Sequence, residues 1–473
     1  MKSPLQCLIG GQWLGCADSF PVLDKFSRRE ACRVASASRT QVAQAVALAR
    51  RAADAGPPPP VERARVLRDA ARGVAGRRQA FVDLMATEAG FTRADAHGEI
   101  DRAIVTLGLC ADEATRLTGD VVPFAASPGS HERIGFTLRF PVGVVCAITP
   151  FNAPLNTVLH KIAPAYAAGN AVVLKPSAFT PLTAALLGEV LLEAGMPPDF
   201  LAIVQGDGDT VGRWLLEEND IAFYTFTGST RVGRIIQQAA GLRRTQMELG
   251  SIASTLVCAT ADLDRAAERI ANASFRKAGQ VCTSVQRLYV HRSVAADFAA
   301  RLAARAERMR AGDPRDPAVT VGPLISEAAA VRAEQWVAEA AAGGARVLCG
   351  GRRDGAVVPP TVLTDVPAQA KTWCQEAFAP IVALRPFDTL EEAIGDANAT
   401  PYGLSAGVFT TDVRECLYAA RHLRFGTVQL NESSSARADV MPFGGVKDSG
   451  FGKEGPWHAM REMTEERLVV FNP

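Results

Sequence analysis

The chain has 473 residues, 48% hydrophobic and 21% charged, which is apolar enough for large buried cores and too apolar for a disordered protein. Its 51 Lys+Arg against 50 Asp+Glu leave a formal net charge of +1, so no basic excess draws in nucleic acid by counterion release. At about 150 residues per domain, the length predicts roughly three domains or two large ones. Ten cysteines never stand in a Cys-x-x-Cys spacing and six histidines are scattered. A disulfide framework, a thioredoxin-type pair and a metal site are therefore not expected. The N-terminus lacks an apolar run with a small-residue cleavage site, and no apolar stretch reaches about 18 residues. A soluble, reducing, cytoplasmic setting without a membrane partner is expected.

In chain order, the first part reads as helices. Ser38 precedes Val42, Ala45, Val46 and Ala49 at helical spacing, and Gly56 with prolines 57–60 stops that helix. Further helical runs are predicted over 61–89 and 95–117. Residues 133–140 alternate and predict a half-buried strand. The apolar runs 143–148, 171–174, 201–204 and 221–226, separated by helix-like segments such as 183–193, predict a parallel sheet covered on both faces. On such sheets ligands bind beyond the carboxyl ends of the strands, which points to 149–154, 175–177, 206–208 and 227–230. A second α/β unit follows Gly250, with strands predicted at 255–258, 287–291, 346–348, 381–386 and 405–409.

Four local signals carry chemistry. Phe226-Thr227-Gly228-Ser229-Thr230 closes a strand and opens a helix near Arg231, a site for a pyrophosphate or an ordinary turn capped by Ser229. Cys282 lies in the polar stretch Gly279-Gln280-Val281-Cys282-Thr283-Ser284. A thiol of pKa about 8.5 needs a base or dipole to become a nucleophile, and the other cysteines read as inert core fillers. Glu248 stands between apolar neighbours just before a glycine, either a base or a surface charge at a helix end. Asn152, held between Pro150 and Pro154 after a buried strand, is either a donor to an oxyanion or a turn residue.

Taken in order, seven segments resemble the aldehyde dehydrogenase superfamily: T-P-F-N-x-P at 149–154, V-V-L-K-P at 172–176, F-T-G-S-T at 226–230, M-E-L-G at 247–250, G-Q-x-C at 279–282, Q-E-A-F at 375–378 and P-F-G-G at 442–445. The resemblance spans essentially the whole chain and is closest, at 279–287 and 437–445, to the lactaldehyde and phosphonate-aldehyde dehydrogenase branch. It implies an α/β fold with a Rossmann-type cofactor domain (1–122 and 142–250), an α/β catalytic domain (251–448) and a small β oligomerisation element (123–141 and 466–473). A homodimer or homotetramer is implied.

By the same resemblance, Cys282 attacks an aldehyde and the oxyanion is held by the Asn152 amide and the Cys282 N–H. Hydride passes to NAD or NADP, and water activated by Glu248 hydrolyses the thioacyl-enzyme. Lys161 supports this site. Lys175 is assigned to the adenosine ribose, Ser229 to the pyrophosphate, Glu376 to the nicotinamide ribose and Phe378 to the nicotinamide face. Thr149, Pro150, Phe151, Ser177, Gly208, Gly228 and Leu249 complete the cofactor set. Ala178 stands where many relatives carry a ribose-binding glutamate, so NADP is expected to be tolerated. Ala379 replaces a usual glycine, and Phe91, where relatives often have lysine, has no assigned role. Arg102, Gly108, Val281, Thr283, Arg437 and Phe443 are the candidate substrate residues. Gly108, where several relatives place an arginine, predicts a wider pocket open to a bulkier neutral aldehyde unless Arg102 or Arg437 supplies the cation. Two alternatives stay open: a CoA-acylating dehydrogenase, disfavoured by Glu248, and a non-catalytic scaffold of the same fold. Only eight of the cations are lysines, and Lys161, Lys175 and Lys447 fall in family segments, where a compact ammonium rather than a guanidinium fork is expected.

Overall fold

Strands buried on both faces must pair with one another through helical crossovers, and the runs after residue 143 do so. In the computed structural model, which describes residues 4–472, they form Val144–Ile148, Ala171–Lys175, Leu201–Ile203, Ile221–Thr227 and Arg244–Glu248. Their spatial order is 201–203, 171–175, 144–148, 221–227, 244–248, and every pair is parallel. The chain thus builds outward from Val144–Ile148 on one side and then returns to add Ile221–Thr227 on the other. That reversal opens a crevice beyond the carboxyl ends of these two strands. Thr149 to Asn152 leave one strand and Gly228 to Ser229 leave the other at that crevice.

Antiparallel edges close the sheet. The hairpin of Cys7–Ile9 and Gln12–Leu14 pairs with Leu201–Ile203, and Gly450–Phe451 pairs with Arg244–Glu248. Helix Asn156–Ala167 is buried along nearly its whole length. Helix Pro456–Glu462 packs against it and against helix Arg93–Ala114, so residues 449–463, within the stretch that the expected domain limits left unassigned, lie with the first sheet. The second sheet runs 346–349, 361–364, 381–387, 287–291, 254–257, 405–409, 427–430, parallel except for its first pair. Each of these two sheets has its own large apolar core. A third, antiparallel sheet of Thr464–Phe471, Ile134–Pro141 and Val121–Val122 carries exposed apolar side chains, among them Val121, Ile134, Leu468 and Phe471.

Two readings of the first part need correction. Residues 61–89 are two helices, Pro60–Gly76 and Arg78–Glu88, because Arg77 leaves helical geometry directly after Gly76. The opening residues are not helical: besides the edge hairpin, Ser19–Leu23 pairs with Glu30–Ala35. These strands are short, with only Val22 of one and Val34 and Ala35 of the other fully buried, so they give too few apolar positions for a periodic signal. Helix Arg39–Ala55 begins at the expected cap, where the Ser38 side chain accepts from Gln41 N and the Gln41 side chain accepts from Ser38 N. No helix is long and apolar enough to cross a membrane, and no group of three metal-ligating side chains occurs among the described residues.

Candidate active site

The crevice holds a cavity of about 400 Å³. Thr149, Pro150, Phe151, Asn152, Ser177, Gly208, Gly228, Ser229, Leu249, Glu376 and Phe378 line it together with Cys282, Glu248, Arg437 and Phe443. Residues far apart in sequence therefore share one wall. Lys161 and Lys175 lie buried behind it. Val281 borders a narrow cleft on another side of Cys282 with Ser251 and Glu376. Thr283 is buried and its hydroxyl meets that of Ser435 at 3.2 Å. Arg102 and Gly108 do not line the cavity.

The thiol is held by an unusual backbone path. Helix Leu263–Phe275 ends in three successive left-handed residues, Lys277 (φ 51°), Ala278 (φ 52°) and Gly279 (φ 69°). Such conformations cost free energy for residues with a Cβ and persist only where the surroundings fix them. Lys277 is fixed by its ammonium, which donates to Glu99 Oε2 at 2.7 Å and to the Asn152 carbonyl at 3.1 Å. Glu99 Oε1 also accepts from Asn156 N at 2.8 Å. One buried ion pair thus ties the Cys282 loop to the turn that carries Asn152. Gln280 completes the brace by donating to the Lys277 carbonyl and accepting from Ile325 N. Neither Glu99 nor Lys277 was singled out from the sequence, because each lies in a helical or polar run with no motif of its own.

Electrostatics around the thiol are set by two carboxyls with opposite fates. Glu248, at the end of its strand rather than of a helix, is 3% exposed and neither oxygen has a hydrogen-bond partner. Burial, reinforced by the negative Glu454, pushes its pKa well up. Glu454 is equally buried, yet Lys161 (3.2 Å) and Arg437 (2.8 Å) outweigh burial and hold it down at about 2. Lys161 also donates to Thr225 Oγ1, and Arg437 stacks over the Phe443 ring at 3.9 Å. Burial and the adjacent Glu248 push the Cys282 thiol up to about 12. Glu454 is a further residue of the site that sequence reading missed. A lysine in the middle of an otherwise apolar helix requires a buried counter-charge, and that demand at Lys161 was the available signal.

The cofactor side fits a dinucleotide. Ser229 caps helix Thr230–Ala240 by accepting from Val232 N, so the helix start, with its partial positive charge, lies at the cavity wall. Burial lowers the Lys175 ammonium to about 8, and its one hydrogen bond, to the Pro176 carbonyl, is 3.4 Å long. It has no acidic partner and suits neutral ribose hydroxyls. Glu376, raised by burial to about 7, accepts from Ser251 N at 3.0 Å. Phe378 meets Phe151 edge to face at 5.8 Å and sits in a left-handed conformation.

Fold and cavity together define an α/β oxidoreductase with a cysteine beside a dinucleotide cleft. The profile of the aldehyde dehydrogenase family matches residues 13–469, and the chain belongs to that family. It is 45% identical to a 3-sulfolactaldehyde dehydrogenase of Priestia megaterium over 98% of this chain and 97% of that one. Among solved structures it superposes on aldehyde dehydrogenase 21 of Physcomitrella patens, in complex with the reaction product succinate, with TM-score 0.96 and 34% identity over 100% of this chain and 98% of that one. It superposes on a glyceraldehyde-3-phosphate dehydrogenase of Methanocaldococcus jannaschii, complexed with NADP, with TM-score 0.92 and 34% identity over 96% and 99%. The protein is an NAD(P)-dependent aldehyde dehydrogenase that oxidises an aldehyde to the acid.

Alkylation of Cys282 by iodoacetamide in the cofactor-free enzyme is expected to keep accelerating with pH past the ordinary thiol pKa of about 8.5. Glu248→Gln removes the like charge and should speed alkylation at a given alkaline pH; a plateau near neutrality contradicts this. Gly279→Ala drives a Cβ to 2.2 Å from the Ala379 carbonyl oxygen at a left-handed φ. Displacing the thiol is expected to lower kcat by about a hundredfold, read by steady-state assay alongside cofactor binding, which should persist.

Proposed function

We propose that the aldehyde oxidised by this chain is small and carries an anionic group, with Cys282 as nucleophile, Asn152 and the Cys282 N–H as oxyanion donors and Glu248 as the base for hydrolysis. Bound in the cavity, NAD or NADP supplies the hydride acceptor. The placement of Cys282, Asn152 and Glu248 on one cavity supports these roles. Burial raises Glu248 above an ordinary carboxyl, which makes its ionised form a stronger base toward water. Lys161 is a positioning residue that holds Glu454, whose charge in turn acts on Glu248.

The observation that carries the anionic reading is Arg276. Of Arg437, which lines the cavity, and Arg102 and Arg276, which lie outside its lining, two are already neutralised. Arg437 is paired with Glu454, and Arg102 clamps Asp439 through two hydrogen bonds of 3.1 and 2.6 Å. Arg276 has no acidic partner within ion-pair distance among the described residues. It donates to Ser435 Oγ at 2.7 Å, and Ser435 meets Thr283, the neighbour of Cys282. Burial and the nearby Arg102 both penalise its charge, a cost that an incoming anion offsets. Gly108 does leave open space around it, but width there does not remove the cation supplied by Arg276, and the expectation of a neutral substrate gives way. Among the relatives, some act on a sulfonated or phosphorylated aldehyde or yield succinate, which supports this reading, while others are lactaldehyde dehydrogenases.

Steady-state kinetics with 3-sulfolactaldehyde and lactaldehyde, which differ in the sulfonate, test the reading. The wild type is expected to favour the anion, and Arg276→Gln to lose about ten- to a hundredfold in kcat/KM for it, as one charge-assisted contact implies, with little change for lactaldehyde. Equal activity on both substrates, or on benzaldehyde, overturns it. The exposed apolar edge of the third sheet supports a homo-oligomer formed through 123–141 and 466–473. Leu468→Asp is expected to lower the molar mass measured by light scattering, whereas an unchanged mass places the interface elsewhere.

A further inference from the structure

A second cavity of about 720 Å³ adjoins the cofactor cavity, and Phe179 lines both. Its walls are largely apolar, with Val22, Leu23, Ala178, Ile325 and Val331 among them. Into this space faces Lys25, a residue only 6% exposed. Its ammonium stands 5.4 Å from the Phe179 ring centroid and makes no hydrogen bond or ion pair among the described residues.

The other charges around the cavity are matched to one another. Arg28 pairs with Glu327, which also holds Arg353 at 3.2 Å. Asp24 pairs with Arg315 and accepts from Ser27 N and Phe26 N. Glu88 acts on Lys25 through space, but both its oxygens are occupied by Leu182 N and Thr183 N at 2.7 Å, and burial raises its pKa to about 7. Lys25 is therefore a buried cation without a dedicated counter-ion, and such a charge is expensive unless an anion reaches it.

The geometry of the dividing wall says which anion. Ser177 lines the cofactor cavity, Ala178 lines the Lys25 cavity, and Phe179 lines both. A ribose seated on Lys175 and Ser177 thus abuts, at residue 178, an opening toward the Lys25 ammonium, and the carboxylates that line that cavity, Asp24 and Glu327, are each paired with an arginine. We propose that Lys25 and its cavity receive the 2′-phosphate of NADP and make it the preferred cofactor. The inference rests on the adenosine ribose lying at Lys175 and Ser177.

Calorimetric titration with 2′,5′-ADP and 5′-AMP reads this without turnover. The wild type is expected to bind 2′,5′-ADP at least about tenfold more tightly, the scale of one charge-assisted contact to phosphate. Lys25→Met should abolish that difference and Lys25→Gln should do the same, while Lys25→Arg keeps part of it. A preference for 2′,5′-ADP that survives in Lys25→Met overturns the proposal. So does inorganic phosphate binding that depends on Lys25 in an enzyme that does not distinguish the two nucleotides, since the cavity is then a free-anion site. Failure of the wild type to bind 5′-AMP at all instead overturns the ribose placement. If the variants do not fold, a crystal structure of the wild type with 2′,5′-ADP decides: the 2′-phosphate within hydrogen-bond reach of Lys25 supports the proposal, and one pointing into solvent overturns it.

Discussion

The Lys277–Glu99 ion pair is the contact on which the reacting geometry depends. It lies beneath two loops that come from different sheets, one carrying Cys282 and the other Asn152, and bonds to both at once. Neither loop has regular structure to fix it. The left-handed run at 277–279 is unfavourable in isolation, and it persists because the ammonium is locked between a carboxylate and a carbonyl. Phe91 contributes as well: its ring lies 4.4 Å from the Lys277 ammonium. The position that had no assigned role in the sequence thus helps seat the cation beneath the thiol.

Much of the chemistry was legible beforehand because it sits at strand ends, where short segments with prolines and glycines stand out. Cys282, Glu248, Asn152 and Ser229 were singled out from local segments and Glu376 only through the family resemblance, all of them lining one cavity, and the alternating buried strands announced the parallel sheet. Glu454, Arg276 and Lys277 were not legible. Each acts through a partner hundreds of positions away or across a loop, and no local pattern encodes such a pairing. The surface-charge reading of Glu248 failed for a related reason, since a sequence does not show that Gly450–Phe451 will pair with its strand and seal it from water. The lysine scarcity proved more informative than the family segments alone: Lys25, Lys161, Lys175 and Lys277 are all buried.

Charge pairing sorts the cations around the cleft. Arg102 with Asp439, Arg437 with Glu454 and Arg28 with Glu327 are closed accounts that hold the walls in place. His160 and Asn156 also bond Asp439, so that carboxylate, held well below its usual range, fixes one helix to the strand-leaving turns. Arg276 and Lys25 stand outside these pairs. Arg276 bonds Ser435, which meets Thr283 beside Cys282, and Lys25 lines the neighbouring cavity, so the two unpaired cations stand near different parts of the site.

The carboxylate that tunes Glu248 arrives with the final segment of the chain. Lys161, wholly buried in helix Asn156–Ala167, finds its counter-charge in Glu454, and the helix that follows, Pro456–Glu462, packs on that same helix. During synthesis Lys161 is translated 293 residues before this partner exists. An emerging chain cannot bury that ammonium without large cost, so the first sheet can settle around Lys161 only after Glu454 has been added. Assembly of the reactive centre is thereby coupled to a segment far along the chain, and a product truncated before Glu454 would be left with an unpaired lysine in place of a finished core.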